Sequence, residues 1–211
     1  MQRIYENLYQ FSAYIPPMDF SIHQYLLAAD PAIVFATGTR AQAEQNLPQI
    51  RAILGERPVK YIFVSHLESD ECGGLPVFLR AYPQATALCY ALGARELSGY
   101  GYAGNVRSCH GGEVLEDGEL RLRFFDCPAE MHLQNGLVCF EEKSGVFYSA
   151  DLMSRRGNGT GKIIAGDWRE EVDAVGPERV PNAEKLAALK TELRPVAPKF
   201  IAVGHGFCLS L

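Results

Sequence analysis

The 211 residues predict an α/β fold, on three observations. Short apolar runs rich in Val, Ile, Phe and Tyr alternate with stretches whose apolar residues recur every three or four positions, so strand and helix periods take turns along the chain. Several of the apolar runs are continuous, the pattern of strands covered on both faces. Three of them lead into a histidine or an aspartate, which puts metal-ligating side chains in loops beyond strand ends, where α/β folds commonly keep their sites.

From Tyr25 the run to Ala36 reads as two strands joined at Asp30-Pro31, because proline supplies a turn between apolar flanks. This hairpin is expected to open the domain. Ala43, Leu47, Ile50 and Leu54 share one helix face between Arg40 and Leu54, and Gly55 supplies the stop. Lys60 to Ser65 is a buried strand that runs into His66. Leu75 to Ala81 and Leu88 to Leu97 read as a helix, a strand and a further helix, and Glu119 to Phe125 alternates as a half-exposed strand. Gly136 to Phe140 and Gly145 to Ser149 form a strand pair whose second member leads to Asp151. Arg155 to Gly161 is glycine-rich, but its spacing fails the phosphate-loop pattern and it reads as a loop. Ala183 to Leu193 is a last amphipathic helix, and Lys199 to Val203 a last buried strand that delivers His205.

With 47% apolar residues the chain can bury one substantial core, so residues 1–211 are expected to form a single domain. The net charge of -5, with basic residues scattered, offers no general attraction for nucleic acid or anionic lipid. No stretch approaches the roughly 18 apolar residues of a membrane helix, and Met1 to Tyr14 lacks the pattern of a secretion signal, so a cytoplasmic protein is expected. The six cysteines include no Cys-x-x-Cys pair, which argues against a zinc ribbon or a redox dithiol. The Asn158-Gly159-Thr160 sequon then carries no meaning.

The chemistry concentrates in His66, Glu68, Asp70, His132, Asp151 and His205. In Ser65-His66-Leu67-Glu68-Ser69-Asp70 the candidate ligands alternate, and an extended backbone would project all three to one side. A lone histidine or aspartate at a strand end is usually a capping or hydrogen-bonding group. Here three of the chain's five histidines occupy such positions among acidic residues, whereas His23 and His110 lack such neighbours.

This pattern resembles the metallo-β-lactamase superfamily over nearly the whole chain, which implies an αββα sandwich with a binuclear site at the loop edge of its two sheets. Tyr25-Leu26-Leu27 is similar to the family's early strand, and Ala36-Thr37-Gly38 replaces the common Asp-Thr-Gly. The hydrolases of the superfamily carry His-x-His-x-Asp-His. The flavodiiron proteins and their shorter oxygen-binding relatives carry His-x-Glu-x-Asp, as His66-Leu67-Glu68-Ser69-Asp70 does. Pro128-Ala129-Glu130-Met131-His132 lacks the hydrolases' Gly-His-Thr-Pro-Gly, and Tyr148-Ser149-Ala150-Asp151 is similar to the flavodiiron Phe-Ser-x-Asp. Gly204-His205-Gly206 fits both branches.

The resemblance implies two iron ions, one held by His66, Glu68 and His132, the other by Asp70 and His205, with Asp151 bridging. Glu68 raises the anionic ligands from two to three, and hard oxygen donors favour iron over zinc. Glu71 stands where a histidine is common, and either adds a carboxylate ligand or faces solvent; Cys72 either protects or tunes the site or is a buried structural thiol. The implied function is a non-haem diiron protein that binds dioxygen or nitric oxide, as a reductase component (an oxidoreductase) or as an oxygen sensor. The alternative is a binuclear zinc hydrolase of an ester or thioester, with two zinc ions. No flavin module is expected within the chain, so electrons would come from a flavodoxin- or rubredoxin-type partner, and analogy with longer members suggests a homodimer.

Overall fold

The computed structural model describes residues 1–102, 104–128 and 136–211. The chain opens with β1 (Gln2–Tyr5) and β2 (Leu8–Ile15), a 3₁₀ turn at Pro16–Met18, β3 (Phe20–Leu27) and β4 (Ala32–Phe35). The hairpin expected around Asp30-Pro31 is β3 paired with β4, but it does not open the domain, because two strands precede it. Their mixed aromatic and polar composition hides them from a pattern reading. After α1 (Arg40–Leu54) come β5 (Val59–Phe63), the single turn α2 (Ser69–Cys72), α3 (Leu75–Ala81), β6 (Thr86–Tyr90), α4 (Ala91–Gly99) and β7 (Asn105–Cys109). These strands form a seven-stranded sheet in sequence order, antiparallel from β1 to β4 and parallel from β4 to β7.

The second half supplies β8 (Val114–Asp117), β9 (Leu120–Cys127), β10 (Gly136–Glu141), β11 (Val146–Ala150), β12 (Ile163–Ala165), α5 (Trp168–Ala174), α6 (Ala183–Leu193), β13 (Phe200–Val203) and β14 (Cys208–Ser210). They build a second seven-stranded sheet in the order β12-β14-β13-β11-β10-β9-β8.

Side-chain alternation explains the layering. Along β3 and β4, Tyr25, Leu27, Ile33 and Phe35 belong to the core shared by the two sheets, whereas Leu26, Ala32 and Val34 belong to the core beneath the helices. A strand covered on both faces is apolar throughout, and all four residues of β4 are buried. The α1 positions Ala43, Ile50 and Leu54 join Leu75 and Phe78 of α3 in the outer core. Thr39 and Gln42 cap α1 reciprocally. On the other side Trp168 of α5 packs edge-on against Phe147 of β11 at 4.8 Å, and Leu189 and Leu193 of α6 join the same core. The order is helix, sheet, sheet, helix, the αββα sandwich expected. Among the described residues no helix is long and apolar enough to cross a membrane.

Candidate metal centre

Three strand ends converge at one edge of the sandwich: those of β5, β11 and β13. Beyond β5 the chain bends at residues 66–68, and Glu68 (φ -84, ψ 159) stands at the start of α2. The expectation that His66, Glu68 and Asp70 would alternate along one extended segment therefore does not hold, although the bend still brings His66 and Glu68 together. The helical turn rotates Asp70 away from them and toward His205. At the end of β11 the register shifts between Tyr148 and Ala150, and Ala150 adopts a left-handed φ of 45, an uncommon conformation that swings Asp151 out of the strand. Gly204, just past β13, donates its N–H to Ala150 O at 2.9 Å. A Cβ there would lie 3.1 Å from the Ala150 carbonyl and 3.2 Å from Asp151 Oδ1, so glycine permits this close approach.

The geometry falls into two groups that share Asp151. His66 Nε2 lies 3.6 Å from Glu68 Oε2 and 3.8 Å from Asp151 Oδ2. Ligand atoms of His66, Glu68 and Asp151 all lie within 4.8 Å of one another. His205 Nε2 lies 3.0 Å from Asp151 Oδ1 and 3.5 Å from Asp70 Oδ2. The two oxygens of Asp151 thus face two imidazoles. His132, the sixth candidate, lies in 129–135, outside the described residues.

Both imidazoles are held by their other nitrogen. His205 Nδ1 lies 2.9 Å from Ser21 O, so it donates there, and the ring packs against Phe20 at 4.2 Å with a tilt of 30°. His66 Nδ1 lies 2.7 Å from Ser65 Oγ. Each neutral ring then presents an Nε2 lone pair to carboxylate oxygens. Asp151 Oδ1 is buried and takes no well-directed hydrogen bond, although His205 Nε2 is close. Lone pairs face lone pairs, an arrangement that a cation between them relieves.

The electrostatics agree. Burial alone would lower the pKa of His66, but its hydrogen bond to Glu68 and the charges of Glu71, Asp151 and Glu68 push it up to about 9. Burial likewise opposes the charge on His205, and Asp151 raises its pKa nonetheless. Asp151 is pulled in opposite directions, burial raising its pKa and the two histidines lowering it further. Such a field favours positive charge at this spot. The residues present therefore fit a pair of cations, with two imidazoles, two carboxylates and a third carboxylate between them. A cavity of about 40 Å³, lined by His66, Asp151, Cys127, Leu137, Val138 and Leu152 among others, adjoins the cluster. It has room for one molecule of about water's size.

The remaining candidates take other places. Glu71 neither faces solvent nor reaches toward the cluster: it is 3% exposed, accepting from Ser65 Oγ at 2.8 Å and from Tyr148 Oη at 2.7 Å. Thr37, of the Ala36-Thr37-Gly38 segment, donates its N–H to Glu71 O at 2.7 Å. Cys72 is buried in the outer core, and burial followed by the charges of Glu71 and Asp70 pushes its thiol up to about 12. His23 is buried between Ser12 Oγ and Gly206 O, and His110 is exposed beside Glu113. Sequence reasoning missed Ser65, Tyr148 and Ser21. The first two stand inside quoted motifs, whereas nothing local marks Ser21.

Two sheets flanked by helices, with a histidine and carboxylate cluster in the loops at one edge, define a domain of the metallo-β-lactamase class. Residues 20–206 match the model of the ODP family beta lactamase, and the chain belongs to that family. It is 24% identical over 217 residues to the rubredoxin-oxygen oxidoreductase of Megalodesulfovibrio gigas, covering 95% of this chain and 52% of that protein. Among solved structures, rubredoxin oxygen:oxidoreductase from Desulfovibrio gigas superimposes with a TM-score of 0.80 at 21% identity, over 99% of this chain and 57% of the other. The flavodiiron protein from Giardia intestinalis does so with a TM-score of 0.71 at 16% identity, over 97% and 54%. The chain spans about half the length of each of these proteins, and the structural likeness establishes the fold.

Proposed function

We propose that the chain is the metal-bearing half of a dioxygen- or nitric-oxide-reacting oxidoreductase, with two iron ions held by His66, Glu68, Asp70, His132, Asp151 and His205. The observation that carries this reading is Glu68 standing where the hydrolases of the fold have an imidazole. Its carboxylate adjoins His66 Nε2 and Asp151 Oδ2. A third anionic ligand among hard oxygen donors favours iron over zinc. Two iron ions held by these residues would supply the redox chemistry for a small diatomic molecule.

The protein's own groups have definite parts. Asp151 spans the two positions, its oxygens turned to His66 and His205. Ser21 O and Ser65 Oγ hold the Nδ1 atoms and leave each Nε2 as the ligand atom. The small cavity beside His66 and Asp151 has room for a small ligand. Electrons come from a donor module of the flavodoxin or rubredoxin type. The name of the Megalodesulfovibrio gigas relative supports that choice.

The test is metal analysis of protein purified without added metal, followed by stopped-flow mixing of the reduced protein with oxygen. Close to two irons per chain are expected, with one round of oxygen consumption that repeats only when a donor protein is added. Two tightly held zinc ions with esterase turnover would sink the reading. A long-lived oxygen adduct in place of consumption would assign the same site to sensing.

A further inference from the structure

Glu71 has no part in the ligand set, yet it is one of the most deeply buried carboxylates of the chain. Burying a carboxylate is costly unless its oxygens are satisfied, and here each oxygen has one donor.

The direction of these hydrogen bonds is fixed by the groups that make them. The Tyr148 phenol, fully buried, donates to Glu71 Oε1 at 2.7 Å. Ser65 Oγ donates to Glu71 Oε2 at 2.8 Å, which spends its only proton. Its contact with His66 Nδ1 at 2.7 Å must then be one that Ser65 accepts, so the imidazole carries its proton on Nδ1 and its lone pair on Nε2. The chain of bonds runs one way, from His66 through Ser65 to Glu71.

We propose that Glu71, resting on the metal-centre reading above, is a positioning residue that acts through Ser65 to lock His66 in its ligating tautomer and so sets the affinity of the ion shared by His66, Glu68 and Asp151. The ion at Asp70 and His205 is outside its reach, since His205 is oriented by Ser21 O instead. Glu71→Gln is nearly isosteric but breaks the polarity. With its amide nitrogen toward Ser65 the hydroxyl is driven to donate to His66 Nδ1, which moves the ring proton to Nε2, the ligand atom. With the nitrogen toward Tyr148 the phenol loses its acceptor. Tyr148→Phe removes one donor and leaves the path to His66 whole.

The experiment uses the full chain loaded with zinc as a diamagnetic probe, with chelator competition for each ion and nitrogen-15 spectra of the histidines. Wild type should show His66 protonated at Nδ1. Glu71→Gln and Ser65→Ala should weaken one ion by 10- to 100-fold and leave the other unchanged, since losing such an outer partner typically costs that much. Ser65→Thr, which keeps the hydroxyl, should restore binding, and Tyr148→Phe should bind as wild type does. Both ions weakened alike, or neither, would overturn the proposal, and so would an unaltered His66 signal in Ser65→Ala. If Glu71→Gln fails to fold, the Ser65 pair carries the decision. A wild type that takes up no metal overturns the proposal together with the metal-centre reading. A wild type that binds two zincs but no iron overturns only the choice of iron, and the one-ion asymmetry still decides the role of Glu71.

Discussion

Glu68 is the side chain on which the proposed choice of iron over zinc rests. Its side chain is 35% exposed and adjoins His66, one of the two histidines that face the shared carboxylate, so a replacement changes charge with little effect on packing. Glu68→His is expected to shift preference toward zinc in competition between ferrous iron and zinc, because the site loses one anion and gains a borderline donor. Unchanged iron occupancy would remove the charge argument. The motif His66-Leu67-Glu68-Ser69-Asp70 is legible at this scale because ligand type is a property of the residue itself. Glu71 was not legible, because the same carboxylate serves as ligand, surface charge or buried anchor according to which way one helical turn points it.

At the scale of elements, β3 is tied to the loop before β14 by His23, whose Nδ1 lies 2.7 Å from Ser12 Oγ and whose Nε2 lies 2.8 Å from Gly206 O. Burial, aided by neighbouring His205 and opposed by the Gly206 carbonyl, lowers its pKa to about 4. In the unfolded chain it titrates near about 6.5. Above that value both states are neutral and the group contributes nothing. As pH falls from about 6.5 to about 4 the unfolded chain takes a proton that the folded one refuses, so stability declines through this window. The decline attributable to His23 is about 3 kcal/mol, at about 1.4 kcal/mol per pH unit. His23→Leu is expected to lower stability at neutral pH, since Ser12 and Gly206 lose a partner, yet to flatten the dependence between those limits. Urea unfolding of both proteins across that range checks it, and parallel curves would contradict the assignment. The helices α1, α3 and α6 and the strands around the ligands could be read from periodicity. β1, β2 and β12 could not, because their place is decided by the neighbouring strand more than by their own composition.

For the whole molecule, the proposed ligands come from loops of both sheets: His66, Glu68 and Asp70 follow β5 of the first, Asp151 and His205 follow β11 and β13 of the second. Ions bound there clamp the sandwich along one edge and bind only the folded state. At a thousandfold excess over the dissociation constant such binding stabilises by about 4 kcal/mol. For a chain of this size that corresponds to on the order of 10 °C. Scanning calorimetry before and after chelation should show that drop, and an unchanged midpoint would mean that no ion bridges the sheets.

Residue order alone determined an α/β fold whose apolar strands deliver histidines and carboxylates to common loops, and the resemblance of its motifs to the metallo-β-lactamase superfamily implied the αββα sandwich and set Glu68 at an imidazole position. Residue type and period are local. Tertiary structure decided how the groups face one another. The bulge at Ala150 aims Asp151 at two imidazoles, α2 turns Asp70 toward His205, and Glu71 points inward to Tyr148, which is 77 positions along the chain. His205 is oriented by the carbonyl of Ser21, 184 positions away. Such orientations depend on contacts between segments far apart in sequence, whose approach is set by the packing of the two sheets and leaves no periodic trace in either segment.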